Sequence, residues 1–302
     1  LQFLLSSVNV FLLWDFFGRM IVVIASDPVP AVIESEATGE IKEIFDDIKN
    51  VTGVDVVNLV WRRLAVTKDA LSSVWDVLRP VYESGLANHR AYEFRKQLVL
   101  PELPKLNDNT FLASGIDSLA KLTIINVLAS YNRTNSVNLI ALQATLIRLT
   151  SEETGENNEL FEKYGEDSLL PLPRLPAMSD FDPNINSLVE ELNLIGEEDG
   201  TVIASMYRHL AYWPSYLALI RVLLEPLAST GQINAAIEMA RQQSVTEATF
   251  LSKYLAPFPA DLSSSCFNEI TNVLELFTRH PLSKMVVICG MLLKATENNQ
   301  KS

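Results

Sequence analysis

"MYRHLAYWP" runs from Met206 to Pro214, and "VWRRLAVTK" runs from Val60 to Lys68. The two align without a gap at an offset of 146 residues. Extended outward, Val57–Pro80 aligns with Ile203–Pro226, with Arg62 over Arg208, Leu64 over Leu210, Ala65 over Ala211, Leu71 over Leu217, Leu78 over Leu224 and Pro80 over Pro226. Further along, "IINVLASYNRTN" from Ile124 aligns with "ITNVLELFTRHP" from Ile270 at the same offset, and Asp117 falls over Ser263 as the N-cap. One such match could arise between two unrelated amphipathic helices. Two at one offset point to a tandem duplication.

The periodicity between and around the matches is helical. "GEIKEIFDDIKNV" sets Ile41, Ile44, Phe45 and Ile48 on one face. "PSYLALIRVLLEPL" opens on Pro214 at a first-turn position and is expected to stop near Pro226. The apolar runs "MIVVIAS" and "SKMVVICGML" have strand-like composition, but the second continues into "LLKATE" and reads as buried helix. The expected class is all-α: two tandem helical repeats packed as an intrachain pseudo-dimer. The expected divisions are an apolar N-terminal extension over 1–27, repeat one over 28–165, a proline-rich connector over 166–181 and repeat two over 182–302. Within the extension, Asp15 and Arg19 interrupt the apolar run, and residues 1–19 read as sequence upstream of a start at Met20.

The bulk numbers narrow the function classes. The chain of 302 residues is 48% apolar with a formal charge of −13, and its basic residues form no run longer than a pair. That charge excludes a nucleic-acid partner. Cys266 and Cys289 form no Cys-x-x-Cys and read as buried structural thiols. His89, His209 and His280 lack metal-ligand spacing, and no glycine-rich phosphate cradle or nucleophile elbow occurs. No metal and no cofactor is expected. Membrane association would fall to the N-terminal segment alone. A cytoplasmic protein is the expectation, with homodimer formation left open.

The whole pattern, from about Ala37 to Glu297, resembles the group I 2-haloacid dehalogenases, a helical family that acts on D and L substrates. "ATGEIKEIFDDIK" looks like that family's opening helix, "VLASYNRTNSVNLIAL" like its asparagine-bearing segment, and "LLPL" with "ASMYRHLAYWP" like its second-repeat active-site helix. The resemblance implies hydrolysis of a carbon–halide bond in a small organic acid. An aspartate activates a water that attacks C2 directly, and an asparagine helps to position it. The segment "LAYWPSYLALI" is also loosely similar to helices of the carboxymuconolactone decarboxylase and alkylhydroperoxidase group, whose Cys-x-x-Cys relay is missing here.

Carried over residue by residue, the asparagine is Asn135, whose repeat partner is Pro281. It is expected where one helix ends and the next begins, either as a plain N-cap or beside free N–H groups that suit a carboxylate or halide. The family's serine is Ser205. The position of its catalytic aspartate holds Met206, and a thioether cannot accept a proton from water. The pocket-wall positions hold Val56 and Leu59 in place of a tryptophan and a phenylalanine. Tyr131, over Phe277, reads as wall or core. His209, one turn beyond Met206, is the candidate replacement base, with Asp55, Glu198 and Asp199 as weaker carboxylate candidates. Arg62 and Arg208, alike in both copies, suit a structural tie to a helix-end carbonyl better than a substrate clamp. Two functions follow: a 2-haloacid dehalogenase-like hydrolase with an altered base, or a non-catalytic small-carboxylic-acid-binding or scaffold member of the same fold.

Overall fold

The computed structural model describes residues 10–14, 20–24, 29–151, 170–197 and 202–297. Among them, the first half contains α1 (Gly39–Thr52), α2 (Leu59–Leu64), α3 (Ala70–Glu83), α4 (Leu86–Gln97), α5 (Asp108–Ala113) and α6 (Ser118–Thr150). The second contains α7 (Pro183–Leu194), α8 (Ser205–Leu210), α9 (Pro214–Ser229), α10 (Gln232–Ser252), α11 (Ser264–Phe277) and α12 (Ser283–Thr296). The body is therefore helical, as expected. Ahead of it, β1 (Val10–Trp14) and β2 (Met20–Ile24) pair antiparallel with Leu12 opposite Val22. "MIVVI" is thus strand. Its β-branched residues are stiff at χ1, which costs them little in an extended chain and more in a helix.

Element boundaries repeat at the spacing of the sequence match. α2 begins at Leu59 and α8 at Ser205, and each has six residues. α3 ends at Glu83 and α9 at Ser229. α4 follows Gly85 at φ 78° and α10 follows Gly231 at φ 74°, a left-handed conformation that glycine adopts without Cβ strain. The span of α6, Ser118–Thr150, falls over Ser264–Thr296, the joined span of α11, a π-helical turn at Thr278–Leu282, and α12. Asp117 caps Ala120 N–H at 2.8 Å, and Ser263 caps Cys266 N–H at 3.2 Å.

Two local expectations are corrected. α9 passes through Pro226 to Ser229, as α3 passes through Pro80 to Glu83. Each proline sits in a last turn, where its missing N–H costs one backbone hydrogen bond and the helix still runs on for three residues. No helix junction occurs at Asn135, which lies inside the continuous 33-residue α6. The junction exists in the other half, where Pro281 has no N–H to give and the ladder widens to a π turn. Asn135 therefore does not cap a helix.

α6 is the axis of the packing. It lies against α4, α10 and α12, and every residue from Asn135 to Leu142 is buried. α12 is buried without a break from Ser283 to Leu292. By length and apolar character Ser264–Thr296 would suffice to cross a membrane, but its most apolar stretch is largely buried within the fold, as in a core helix. The halves also exchange contacts: α2 packs on α11, and α8 packs on α6. Arg63 reaches Glu269 at 2.5 Å and Arg90 reaches Glu247 at 2.6 Å across the same boundary. Buried side chains such as Leu139, Ile140, Val286 and Ile288 contribute roughly 1.5–3 kcal/mol each, and they far outnumber these two partly buried ion pairs. Apolar burial therefore dominates adhesion between the halves.

Buried polar groups also meet where α7 gives way to the approach to α8. Lys284 Nζ donates to the Asn193 carbonyl at 2.6 Å and pairs with Glu197, and burial pushes its ammonium below the ordinary lysine range. The Asn193 side chain donates to the Val202 carbonyl and accepts from Ala204 N–H, both at 3.0 Å. One amide thus holds the extended strand that enters α8. Asn193→Leu leaves two buried backbone groups unsatisfied and is expected to cost about 2–4 kcal/mol, read from urea unfolding. A loss below about 0.5 kcal/mol would show that the segment is held by other contacts.

Candidate functional site

The residues singled out in the sequence converge where the two halves meet. The chain arrives extended at Val57 and turns into α2 at Asn58, whose side chain accepts Val60 N–H at 3.2 Å. α6 contributes Tyr131 and Asn135 from the middle of its length. The extended stretch Val202–Ala204 and the first turn of α8 close the opposite side, and the π turn with Met285 forms the floor.

Two cavities open among these elements. The larger holds about 100 Å³ and the smaller about 40 Å³, and both border Asn58, Tyr131 and Ser205. Leu59, Tyr131, Asn135, Ser205 and Met206 line the smaller cavity together, while Val56 lines the larger. His209 lines neither. It is fully buried, with Nε2 2.9 Å from the Pro173 carbonyl and Nδ1 2.8 Å from the Tyr131 hydroxyl. A carbonyl can only accept, so Nε2 carries the proton and Nδ1 accepts from Tyr131. Burial holds the imidazole below its ordinary pKa, and Arg208 adds to the effect against the Pro173 hydrogen bond. Burial likewise pushes the Tyr131 phenol up, against a hydrogen bond from Ser205. The result is a chain of neutral groups, Ser205 to Tyr131 to His209 to Pro173, with its first two members facing the cavities.

Met206 is fully buried in a sulfur contact. The Cys289 thiol donates to Met206 Sδ at 3.3 Å, and Asn135 Nδ2 donates to Cys289 Sγ at 3.9 Å. Burial pushes the Cys289 thiol far above its ordinary range, so it stays protonated. The Asn135 N–H is thus aimed at sulfur. Among the described lining residues of both cavities the acidic one is Asp55, in the larger cavity, where its Oδ2 lies 3.4 Å from Leu172 N. Glu198 and Asp199 lie outside the described residues.

The two repeat-matched arginines have different surroundings. Arg208 donates from Nε and Nη2 to the Pro176 carbonyl at 3.0 and 2.7 Å, a structural tie. Arg62 lines the larger cavity with Arg133. The proline-rich connector supplies the carbonyls that α8 needs. Pro173 accepts from His209, Arg174 from the Tyr212 hydroxyl at 2.9 Å, and Pro176 from Arg208. Leu170, Leu172 and Leu175 of the same segment line the larger cavity, so the connector is part of the site wall. Sequence reading missed Asn58, Arg133, Cys289 and this role of the connector. Arg133 carried a signal, since it matches Arg279 two positions before Asn135.

No protein-family model matches the chain, and no curated protein matches its sequence. Solved structures do match its fold. A D-2-haloacid dehalogenase mutant in complex with D-2-CPA superposes with a TM-score of 0.69 at 18% identity. A D-2-haloacid dehalogenase mutant gives 0.72 at 19%, and the D-2-haloacid dehalogenase complex with L-LA gives 0.72 at 20%. Each match covers 89% of this chain and 96% of the other. The chain therefore shares the dehalogenase fold.

The buried neutral His209 gives a pH signature. Its folded pKa lies below its unfolded value of about 6.5, so acidification protonates the unfolded chain first. The stability advantage of wild type over His209→Gln is expected to be full above about pH 7 and to shrink as pH falls below about 6.5. A pH-independent difference in paired denaturation curves would remove the buried-imidazole account. Tyr131→Phe strips Nδ1 of its donor and is expected to cost about 1–3 kcal/mol at neutral pH by the same assay.

Proposed function

We propose that this chain binds a small carboxylic acid in the pocket of a 2-haloacid dehalogenase fold and lacks the carboxylate that would activate water for carbon–halide hydrolysis. The observation that carries the reading is the contact at Met206. The position that resembles the family's catalytic aspartate is a buried thioether in contact with a protonated thiol, and no described residue lining the smaller cavity is acidic. General-base catalysis typically contributes 10²–10⁴-fold, and a thioether supplies none of it. Arg62 and Arg133 line the adjoining cavity. Ser205 and Asn135 border the smaller cavity as the resemblance implies.

The architecture belongs to the same proposal. The coincident boundaries of α2 with α8, and of α6 with α11–α12, support a tandem duplication packed as an intrachain pseudo-dimer. So do the exchanged contacts of α2 on α11 and α8 on α6. The two copies would then build one site between them, each contributing different residues to it.

One contact favours a second reading, hydrolysis with a different base. The Tyr131 hydroxyl borders both cavities and has His209 Nδ1 behind it at 2.8 Å, so a proton taken by the phenol oxygen has an acceptor. Halide release separates the two. Wild type is expected to release no halide from D- or L-2-bromopropionate, while Met206→Asp restores a carboxylate beside Ser205 and gains on the order of 10²-fold or more over wild type. Release by wild type that Tyr131→Phe abolishes would establish the phenol–imidazole pair instead. Binding of propionate or lactate to wild type, read by calorimetry, is the direct check of the first reading, and no heat with either acid would sink it.

A further inference from the structure

The larger cavity is lined by neutral polar side chains whose hydrogen-bonding capacity is only partly used. Asn138 is 6% exposed; its Oδ1 accepts from the Tyr82 hydroxyl at 2.9 Å, and its Nδ2 has no partner among the described residues. The Trp61 indole N–H, on a side chain 1% exposed, has none among them either. The amide of half-buried Asn88 is unpartnered at both its oxygen and its nitrogen among the same residues. Thr134 Oγ1 donates to the Ser130 carbonyl at 2.9 Å and keeps its lone pairs. The charged groups of this wall are already engaged. Arg62 and Arg133 have partners, and Asp55 Oδ2 lies 3.4 Å from Leu172 N.

A buried N–H left unpaired costs free energy, so a ligand that answers the Trp61 and Asn138 donors is favoured over one that covers them with carbon or halogen. Those donors share the cavity wall with acceptors on Thr134 and Asn88, and a hydroxyl both accepts and donates. A neutral ligand also brings no charge that the engaged arginines would have to leave their partners to meet. A water-sized group takes roughly 10–15 Å³, so the 100 Å³ of this cavity admits about seven to ten such groups. Trp61 and Tyr82, with ring centroids 6.3 Å apart, give the same wall aromatic carbon for a ligand's C–H groups. We infer that the larger cavity is a binding site for a small neutral polyol of about four or five carbons. Its hydroxyl oxygens accept from Trp61 Nε1 and Asn138 Nδ2, and one of its hydroxyl protons goes to Asn88 Oδ1. The inference does not rest on the acid-binding reading, whose Asn135 and Met206 line the smaller cavity.

Ligand-observed NMR titration of the full chain with erythritol, xylitol and 1,4-butanediol tests it. 1,4-Butanediol keeps the carbon chain of erythritol and lacks its two inner hydroxyls. Erythritol is expected to bind about tenfold more tightly than 1,4-butanediol, the gain that two further hydrogen bonds in a buried site bring. Asn138→Leu removes one of the donors, and Asn88→Ala removes the amide that takes a hydroxyl proton. Each variant is expected to narrow the gap to about threefold or less. Asn138→Leu also strips the Tyr82 hydroxyl of its acceptor, so the half-buried Asn88 carries the test if that variant fails to fold by circular dichroism. Equal binding of erythritol and 1,4-butanediol would overturn the inference. A gap that persists undiminished in every variant that folds puts the polyol elsewhere and overturns it as well. So does an absence of binding by both erythritol and xylitol.

Discussion

The burial of the middle of α6 on all sides is the constraint on which the rest of the structure depends. A helix that packs against α4, α10 and α12 cannot present a polar face, and Asn135 to Leu142 are buried without interruption. Each polar side chain in that stretch must then find a partner inside the protein. Ser136 bonds back to Asn132 and Arg133 carbonyls, Asn138 meets Tyr82, and Asn135 meets Cys289. One turn before, Tyr131 reaches His209 on α8. The central helix therefore fixes α8, Tyr82 of α3 and Cys289 of α12 relative to one another. The cavities are the space left between those fixed elements.

Similar segments do different chemistry because they face different neighbours. Arg62 and Arg208 occupy matching places on α2 and α8, yet one lines a cavity and the other clamps a connector carbonyl. α6 runs unbroken where its counterpart is split by Pro281, and the split puts Pro281 and Leu282 into the floor of the smaller cavity. Tyr131 and Phe277 both border that cavity, and the hydroxyl present in one and absent in the other decides which can reach His209. The connector joins this arrangement because prolines have no N–H to donate. Its carbonyls remain, and they are satisfied by the Arg208 and His209 side chains of α8 and by Tyr212 just past its end.

Much of the helical body was legible in the chain itself. Apolar spacing marked α1, a capping aspartate and serine marked the starts of α6 and α11, and the matched stretches anticipated boundaries at the same spacing. These are local signals, carried by residues within a turn or two of one another. The stopping point near Pro226 and the expected junction at Asn135 misled for a related reason. A proline or an asparagine reports a local tendency, and burial in a long packed helix overrides it.

The sequence alone determined that the body is helical, and it carries both the match at an offset of 146 residues and the methionine that stands where the resemblance calls for an aspartate. It also brought Asn135, Met206, His209, Ser205, Leu59, Val56 and Tyr131 forward as one group, and five of these seven line one cavity, with Val56 in the other and His209 in neither. Only the tertiary structure decided their roles. It turned His209 away from the cavity and onto Tyr131, set Met206 against Cys289, 83 positions away, and made the proline-rich connector a wall. Helix formation answers to neighbours a few positions apart. The polarity of a pocket depends on which distant side chains crowd it and on which hydrogen bonds are already taken inside the core, and neither is written in local spacing.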